Sequence, residues 1–238
     1  MTDVNIFMTN IILPETATAR KLSFFLAMEE FVARQQLADD AFFLWQVEPS
    51  VIYGRNQVLE NEVNLEYCQA HGIQLFQRKS GGGCVYADRD NLMLSYITKE
   101  EQVGFAFNRF INMVLLVLRK MGIDATGTRH NDIMIGDRKV CGTACRTMNT
   151  GCIVHSTMLY DTNMQHMLQA ITPSQQKLAK NGVESVRQRI TLLKDYTSLT
   201  LEEVKALILS TLCDNERILT ADEVAQIEQI EERYNPKQ

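Results

Sequence analysis

The sequence predicts an α+β fold in which helices flank a mixed or antiparallel central sheet. Short apolar segments separated by turn residues fill the middle of the chain, whereas segments with helical spacing lie toward its two ends. The regular alternation of strands and helices that a Rossmann fold requires is missing. The 238 residues, of which 45% are hydrophobic, suffice for one large domain or two small ones.

Helices and short strands share the first third of the chain. Apolar residues recur at helical spacing from Leu22 to Val32 and predict an amphipathic helix. The sequence Glu48-Pro49-Ser50 is typical of a turn between two short strands, and Gly72 is typical of a helix end. In chain order, the predicted elements are a strand near Ile11–Leu13, a helix within residues 16–37, two strands within residues 40–54, a helix within residues 62–72 and a strand at Ile73–Phe76.

The middle of the chain predicts most of the sheet, and the C-terminal part predicts helices. The most regular helical pattern runs over Gln102–Met121 and stops at Gly122. The sequence NDIMIGDRKVCG predicts a hairpin that turns at Gly136-Asp137. Thr200 and Thr220 each stand three residues before a glutamate, which is the spacing of a capping box. The predicted strands of this part are Cys84–Tyr86, Leu92–Ile97 and residues 151–160.

The charge balance and the cysteines restrict the class of protein. The 24 basic and 29 acidic residues give a formal charge of −5, which argues against a nucleic-acid-binding protein. The N-terminus lacks a basic leader followed by an apolar run, and no apolar segment reaches membrane-spanning length. The six cysteines include no CxxC pair and no zinc-like spacing. We therefore expect a cytoplasmic protein that binds neither nucleic acid nor a membrane.

Three consecutive glycines, Gly81, Gly82 and Gly83, stand directly before a predicted strand. Residues without a Cβ atom cost folding entropy, which a tight turn or a closely approaching ligand must offset. The pattern matches neither the P-loop nor the GxGxxG fingerprint. Arg78 precedes the glycines, and a guanidinium can contact a phosphate or carboxylate at two points. The segment is therefore either a plain turn or a cradle of backbone N–H groups for an anion.

The predicted hairpin and the strand after it carry further candidate residues. Asn131 and Asp132 open the first hairpin strand and Lys139 opens the second, so Asp132 lies near Lys139 if the register permits it. Either this is an ordinary surface ion pair, or the lysine stabilises negative charge on a bound phosphate or a leaving group. Cys152 and His155 are three residues apart, and a regular strand points them to opposite faces. Cys152 either meets Lys139 across strands or is a buried inert thiol, and His155 alone suits a structural role.

Four motifs in this order resemble the lipoate–protein ligase A family, which shares a fold group with biotin protein ligases and octanoyltransferases. Members carry G-R-x-Q followed by E-x-N, R-x-S-G-G-G-A-V-[FY]-H-D-x-x-N, N-D-[IL] followed by G-x-K-[IV]-x-G-[ST]-A, and K-G-I-x-S-V-R-S-R-V. The segments here are GRNQVLENEVN at 54–64, RKSGGGCVYADRDN at 78–91, NDIMIGDRKVCGTA at 131–144 and NGVESVRQRI at 181–190. The resemblance covers nearly the whole chain. It implies a biotin/lipoate protein ligase-like (class II synthetase-like) catalytic domain over residues 1–238.

The resemblance implies an enzyme that activates lipoate with ATP and magnesium to form lipoyl-AMP. The lipoyl group would then pass to a lysine of an acceptor domain, in the E2 component of a 2-oxoacid dehydrogenase or in the glycine-cleavage H protein. Lys139 would be the catalytic residue, because its ammonium would contact the carbonyl and phosphate oxygens of the mixed anhydride. No metal ligand is assigned. The implied substrate- and ATP-binding residues are Arg78, Ser80, Gly81, Gly82, Gly83, Cys84, Val85, Tyr86, Asn91, Asn131, Asp132 and His155.

Departures from the family pattern define the alternatives. Ala87 and Ser156 replace a histidine and a glycine of the family, which would alter nucleotide contacts without changing the reaction. The chain ends where longer ligases continue into an accessory domain, so a separate accessory subunit would be needed for adenylation, or only preformed lipoyl-AMP would be used. GCIVHS also resembles the GCxxHG of octanoyltransferases, in which Cys152 would be the acyl-thioester nucleophile beside Lys139 and an acyl carrier protein the donor. A degenerate member would only bind lipoyl groups or lipoyl domains. The ligase-like NGVESVRQRI and RxSGGG segments favour the ligase.

Overall fold

Two β-sheets, one of eight strands and one of three, organise the part of the chain that the structure describes. This computed structural model describes residues 8–15, 20–129, 132–171 and 190–234. Asn131 and residues 181–189 of the fourth motif lie outside the described residues. In chain order, the strands are β1 (Met8–Ile12), β2 (Ala41–Trp45), β3 (Ser50–Tyr53), β4 (Gln74–Gln77), β5 (Val85–Ala87), β6 (Asn91–Thr98), β7 (Thr126–Gly127), β8 (Asp132–Ile135), β9 (Arg138–Met148), β10 (Gly151–Leu159) and β11 (Cys213–Ile218).

The eight-stranded sheet is mixed. Its strand order is β11-β1-β2-β6-β10-β9-β8-β7, in which β1 runs parallel to both of its neighbours and every later pair is antiparallel. The small sheet has the order β4-β3-β5, so the two strands predicted on either side of Glu48-Pro49-Ser50 belong to different sheets. The predicted fold class, an α+β domain with a mixed sheet flanked by helices, is confirmed.

Helices cover both faces of the large sheet. Packing against α4 and α6 buries one face, which includes Val154 of β10, whereas α1 and α7 bury the opposite face, which includes Ile153. Successive residues of β10 therefore serve opposite layers of the core. Within the described part of the chain, none of the helices combines the length and apolarity needed to cross a membrane. The helices are α1 (Leu22–Gln35), α2 (Leu59–Glu62), α3 (Leu65–Ala70), α4 (Val103–Lys120), α5 (Met164–Ala170), α6 (Leu201–Leu212) and α7 (Ala221–Glu231), with a 3₁₀ turn at Leu193–Tyr196.

The structure confirms the turns and helix ends that were predicted from short sequence patterns. Thr200 and Thr220 form capping boxes at the starts of α6 and α7. Helix α4 ends just before Gly122, whose φ of +77° is costly for a residue with a side chain. The β8–β9 hairpin turns at Gly136-Asp137, since Ile135 pairs with Arg138.

Two regions predicted to be helical differ from the structure, because each contains residues that pair with distant strands or bridges. The helix predicted within residues 62–72 is present as the shorter α3, because Val63 pairs with Ile171 as an isolated bridge, and α2 before it was not predicted. Asn64 then begins α3, with its side chain accepting a hydrogen bond from the Tyr67 backbone N–H. Strand β11 lies in a region predicted to be helical. Its sequence, CDNERI, is that of a charged edge strand and lacks the apolar alternation that marks a half-buried strand.

A buried carboxylate on α1 joins distant parts of the chain. Glu30 lies 2.7 Å from the Lys79 Nζ atom and 2.8 Å from Arg146 Nη1 of β9, and it accepts a hydrogen bond of 2.9 Å from the Tyr234 hydroxyl. Burial alone would raise the pKa of this carboxyl, but the hydrogen bonds from these three side chains outweigh burial and lower the pKa from 4.5 to about 2. The segment before the three glycines is thereby attached to α1, β9 and the end of α7.

The β9–β10 turn provides a test of the fold. Gly151 has a φ of +125°, and an added Cβ atom would overlap the Thr98 carbonyl oxygen and lie 2.7 Å from Lys99 Cα. We expect Gly151→Ala to lower the free energy of unfolding by at least about 2 kcal/mol. Gly104→Ala is the control, because its added Cβ meets no atom within 4 Å and alanine favours the helix. Equal stabilities of the two variants in urea denaturation would contradict this account.

The Glu30 cluster predicts a pH dependence of stability. Because the pKa of Glu30 is lower in the folded protein than its ordinary value, its ionisation stabilises the fold fully above about pH 4.5. That contribution is lost as the pH falls from 4.5 toward 2. We expect the stability difference between wild type and Glu30→Gln to shrink over this range in denaturant unfolding. In the control Glu202→Gln, whose carboxylate pairs with Lys205 at the surface, the stability should change with pH as it does in wild type. If the stability difference between wild type and Glu30→Gln did not change with pH, the ionisation of Glu30 would not be the source of the pH dependence.

Candidate active site

The candidate site is a cavity of about 210 Å³ between the small sheet and the large sheet. One part of its wall is apolar, with Leu26 of α1, Trp45 of β2, Ile52 of β3 and Met93 of β6. The remaining wall contains the glycine loop and the β8–β9 hairpin. Eight residues predicted from the sequence line this cavity, namely Arg78, Gly82, Gly83, Cys84, Val85, Asp132, Lys139 and His155.

The buried guanidinium of Arg78 holds the glycine loop from inside the protein. Nε and Nη2 donate to the Gly81 carbonyl at 3.1 and 2.8 Å, Nη2 also donates to Gly83 at 2.6 Å, and Nη1 donates to Ile52 at 3.0 Å. Gly82 between them has a φ of +93°, and a Cβ atom there would lie 2.9 Å from Nη2. Gly82 therefore allows the loop to fold closely around a cation. Most of the N–H groups of Arg78, expected from the sequence to face an anion, are bonded to the loop itself.

The charge of Arg78 lacks a carboxylate partner among the described residues. Its hydrogen bonds go to neutral carbonyl oxygens, and burial lowers the pKa of the guanidinium to about 10. Burial also raises the pKa of the adjacent Cys84 thiol to about 12, so this cysteine is neutral and unreactive. The loop wall is therefore electropositive.

Lys139 and Asp132 meet across the β8–β9 hairpin. The Lys139 Nζ atom lies 2.7 Å from Asp132 Oδ1, although Lys139 pairs in register with Met134 and Asp132 pairs with Gly142. The lysine reaches the carboxylate because Gly142 has no side chain, and a Cβ atom there would lie 2.8 Å from both Cε and Nζ of Lys139. Both side chains remain partly exposed on the cavity wall. The ammonium is thus fixed at the cavity and accessible to a ligand.

His155 belongs to a buried chain of hydrogen bonds that the sequence analysis largely missed. Its Nε2 atom lies 2.7 Å from Ser80 Oγ, and its Nδ1 lies 2.9 Å from Glu29 Oε2. Trp45 donates to Ser95 Oγ at 2.8 Å, so the Ser95 hydroxyl donates its own proton to Glu29, at 2.6 Å. The chain links the glycine loop to the apolar end of the cavity. The adjacent acidic pair at positions 29 and 30, within a mostly apolar helix, was the available signal.

Several predicted residues support the site without lining the cavity. Tyr86 packs in a core cluster behind the small sheet, and the Asn91 side chain donates a hydrogen bond of 3.2 Å to the Tyr86 carbonyl. Ser80 forms a hydrogen bond with the His155 ring, and the Gly81 carbonyl accepts hydrogen bonds from Arg78. These residues position the loop and β5. Within the described residues, no group of three His, Cys, Asp or Glu side chains is arranged to hold a metal ion.

The pairing of Cys152 with Lys139, considered as an alternative from the sequence, is wrong. Cys152 pairs in register with Thr147, and Lys139 lies eight residues before Thr147 on β9, a separation of about 26 Å. Cys152 also faces the α4 side of the sheet, away from the cavity, and burial raises the pKa of its thiol. As the sequence predicts, Cys152 and His155 point to opposite faces. Cys152 is therefore not placed to act as a nucleophile in this site.

Comparisons with known proteins identify the family. The family described as "Lipoyl protein ligase A/B catalytic domain" matches residues 22–213. Lipoate–protein ligase 1 of Staphylococcus aureus is 34% identical over 191 residues, which cover 79% of this chain and 58% of that protein. The chain thus spans about 60% of the length of the curated relatives it matches.

Two solved structures have the same fold. One is from a study of a bipartite lipoate protein ligase and its E2 lipoyl domain from Thermoplasma acidophilum, with a TM-score of 0.82, 26% identity and coverage of 95% of this chain and 93% of that chain. The other is a lipoate–protein ligase A bound with ATP, with a TM-score of 0.81, 25% identity and coverage of 95% of both chains. Since the family match extends over most of the sequence, the chain belongs to the lipoyl protein ligase A/B catalytic domain family.

Proposed function

We propose that this chain activates the carboxylate of lipoate with ATP to form lipoyl-AMP and transfers the lipoyl group to a lysine of an acceptor domain. The acceptor is the E2 component of a 2-oxoacid dehydrogenase or the glycine-cleavage H protein. The observation that carries the proposal is that the Lys139 ammonium and the Arg78-held glycine loop line one cavity that also has an apolar wall. The lipoate ligases among its relatives and the ATP-bound ligase structure support the same reaction.

The cavity suits an acyl chain with a charged head. Leu26, Trp45, Ile52 and Met93 provide an apolar surface for the aliphatic chain and dithiolane ring of lipoate. The polar wall provides the Lys139 ammonium and the electropositive loop for the carboxylate and the phosphates. This division between an apolar wall and a cationic wall orients the carboxylate toward the nucleotide.

The two chemical steps make similar demands on the site. In the first, a lipoate carboxylate oxygen attacks the α-phosphorus of ATP, and the bond from that phosphorus to pyrophosphate breaks. In the second, the acceptor amine attacks the acyl carbon, the C–O bond to AMP breaks and the nitrogen loses a proton. Negative charge develops on carbonyl and phosphate oxygens in both steps, and the ammonium of Lys139 stabilises it. Asp132 keeps that ammonium in place between turnovers.

Magnesium is expected together with ATP. Asp132 is the one carboxylate that lines the cavity among the described residues, which fits an ion held mainly by phosphate oxygens and water rather than by a protein cage. Asp132 would provide the protein ligand, and the ion would neutralise phosphate charge.

The cysteines support a cytoplasmic location. All six are free thiols, which is typical of a reducing compartment.

The main test measures lipoylation of an apo acceptor domain by mass spectrometry, with lipoate and ATP–Mg as donor. We expect Lys139→Ala to lower the rate at least about 100-fold, because the positive charge at the anhydride is lost. Cys152→Ser should keep the wild-type rate. Synthetic lipoyl-AMP, supplied without ATP, shows whether a separate accessory subunit is needed for adenylation. Modification from octanoyl-carrier protein alone, abolished by Cys152→Ser, would establish the transferase reaction instead.

A subtler variant tests the placement of the lysine rather than its charge. Gly142→Ala adds a Cβ atom 2.8 Å from Lys139 Nζ, so the flexible end of the lysine must move. We expect the lipoylation rate to fall about tenfold or more while the melting temperature changes little. Gly104→Ala, in open space on α4, is the matched control and should retain the rate. An unchanged rate in Gly142→Ala would show that the position of the ammonium is not critical.

A further inference from the structure

A second cavity, of about 280 Å³, lies on the other side of Arg78 from the candidate active site. It is lined by Arg55, Lys79 and Arg233, together with Tyr53, Gln77 and Tyr234, and we call it the outer basic cleft. The buried Arg78 side chain lines both cavities. The active-site reaction proposed above makes no use of the outer basic cleft.

Positive charge in the outer basic cleft is largely uncompensated. No carboxylate is among the described residues that line it, and neither Arg55 nor Arg233 forms an ion pair with a described residue. Arg78 donates only to backbone carbonyls, and only Lys79 has an acidic partner, Glu30, at 2.7 Å. Four cations around one cavity repel one another, in a chain whose formal charge is −5. A bound anion would relieve that repulsion.

One cation of the outer basic cleft, Lys79, is held in position by its neighbours. The Lys79 Nζ atom lies 4.0 Å from the centre of the Tyr234 ring, and the Tyr234 hydroxyl donates to Glu30. The backbone N–H of Arg55 donates a hydrogen bond of 3.1 Å to the Ser80 carbonyl, which places the backbone of this arginine directly beside the glycine loop. The pre-positioning of the Lys79 ammonium reduces the entropy cost of binding a ligand.

We propose that the outer basic cleft binds a small anion of the phosphate class, through the guanidinium groups of Arg55 and Arg233 and the ammonium of Lys79. Arginine forks match the oxygen pairs of a phosphate, and a cleft of this volume has room for phosphate or pyrophosphate. The site is separate from the acyl and nucleotide cavity, and the inference does not depend on the reaction proposed for that cavity. Because Arg78 and Lys79 connect the cleft to the glycine loop, the bound anion also stabilises the loop.

The test is a calorimetric titration of the full chain with inorganic phosphate and with pyrophosphate, without ATP or lipoate. The variants are Arg55→Gln combined with Arg233→Gln, the active-site variant Lys139→Ala, and the control Arg89→Gln, whose exposed arginine pairs with Glu48 elsewhere. We expect the double variant to weaken binding at least about tenfold. Arg89→Gln should bind like wild type, Lys139→Ala should retain binding of inorganic phosphate at the cleft because Lys139 does not line it, and circular dichroism should show all variants folded.

Other outcomes would overturn the inference. No binding to wild type, or equal binding by the double variant, would show that the cleft does not take a phosphate-class anion. Loss of binding in Lys139→Ala with retention in the double variant would place the anion in the active-site cavity alone. Binding of an acidic peptide that is lost in the double variant, with no binding of phosphate or pyrophosphate, would make the cleft a protein-docking surface. None of these results depends on lipoylation activity, which is measured separately.

Discussion

The contact on which the site depends is the hydrogen bonding between the Arg78 guanidinium and the carbonyl groups of its own glycine loop. Four donor–acceptor contacts to Gly81, Gly83 and Ile52 turn a flexible segment into a fixed wall. Glycine is required there because a Cβ atom on Gly82 would approach the guanidinium too closely. The cost is a buried charge without a carboxylate partner among the described residues, and that charge makes both neighbouring cavities attractive to anions.

The β8–β9 hairpin, which forms the opposite wall, likewise depends on a residue without a side chain. A side chain at position 142 would separate Lys139 from Asp132. Because Gly142 has none, the two residues form an ion pair although they are not paired with each other in the hairpin register. Strand β10 connects the cavity to the core, since it contributes His155 to the cavity layer and Val154 to the layer beneath α4. The hydrogen bonds from Ser80 through His155 to Glu29 then tie the loop to α1. The proposed function therefore depends on two close approaches that glycine permits, at Gly82 and at Gly142.

Sequence patterns revealed those parts of the fold that have local causes. Capping boxes at Thr200 and Thr220 and the turn at Gly136-Asp137 involve only neighbouring residues, so they were predictable. The edge strand β11 was not, because its pairing with β1 joins residues more than 200 positions apart and its side chains are charged. Most of the cavity-lining loop and hairpin residues were found through motifs, but Glu29 was missed because its partners come from distant strands. The role of Arg78 as the support of the loop also required three-dimensional information.

The central claim is that the glycine loop and Lys139 hold an acyl-adenylate between them. A crystal structure of the chain with a non-hydrolysable lipoyl-AMP analogue measures this directly. The account predicts that the Lys139 ammonium lies within hydrogen-bond distance of the acyl and phosphate oxygens, that the loop borders the phosphate, and that the acyl chain lies against Trp45 and Met93. An analogue bound outside this cavity, or bound with Lys139 still paired only to Asp132, would contradict it.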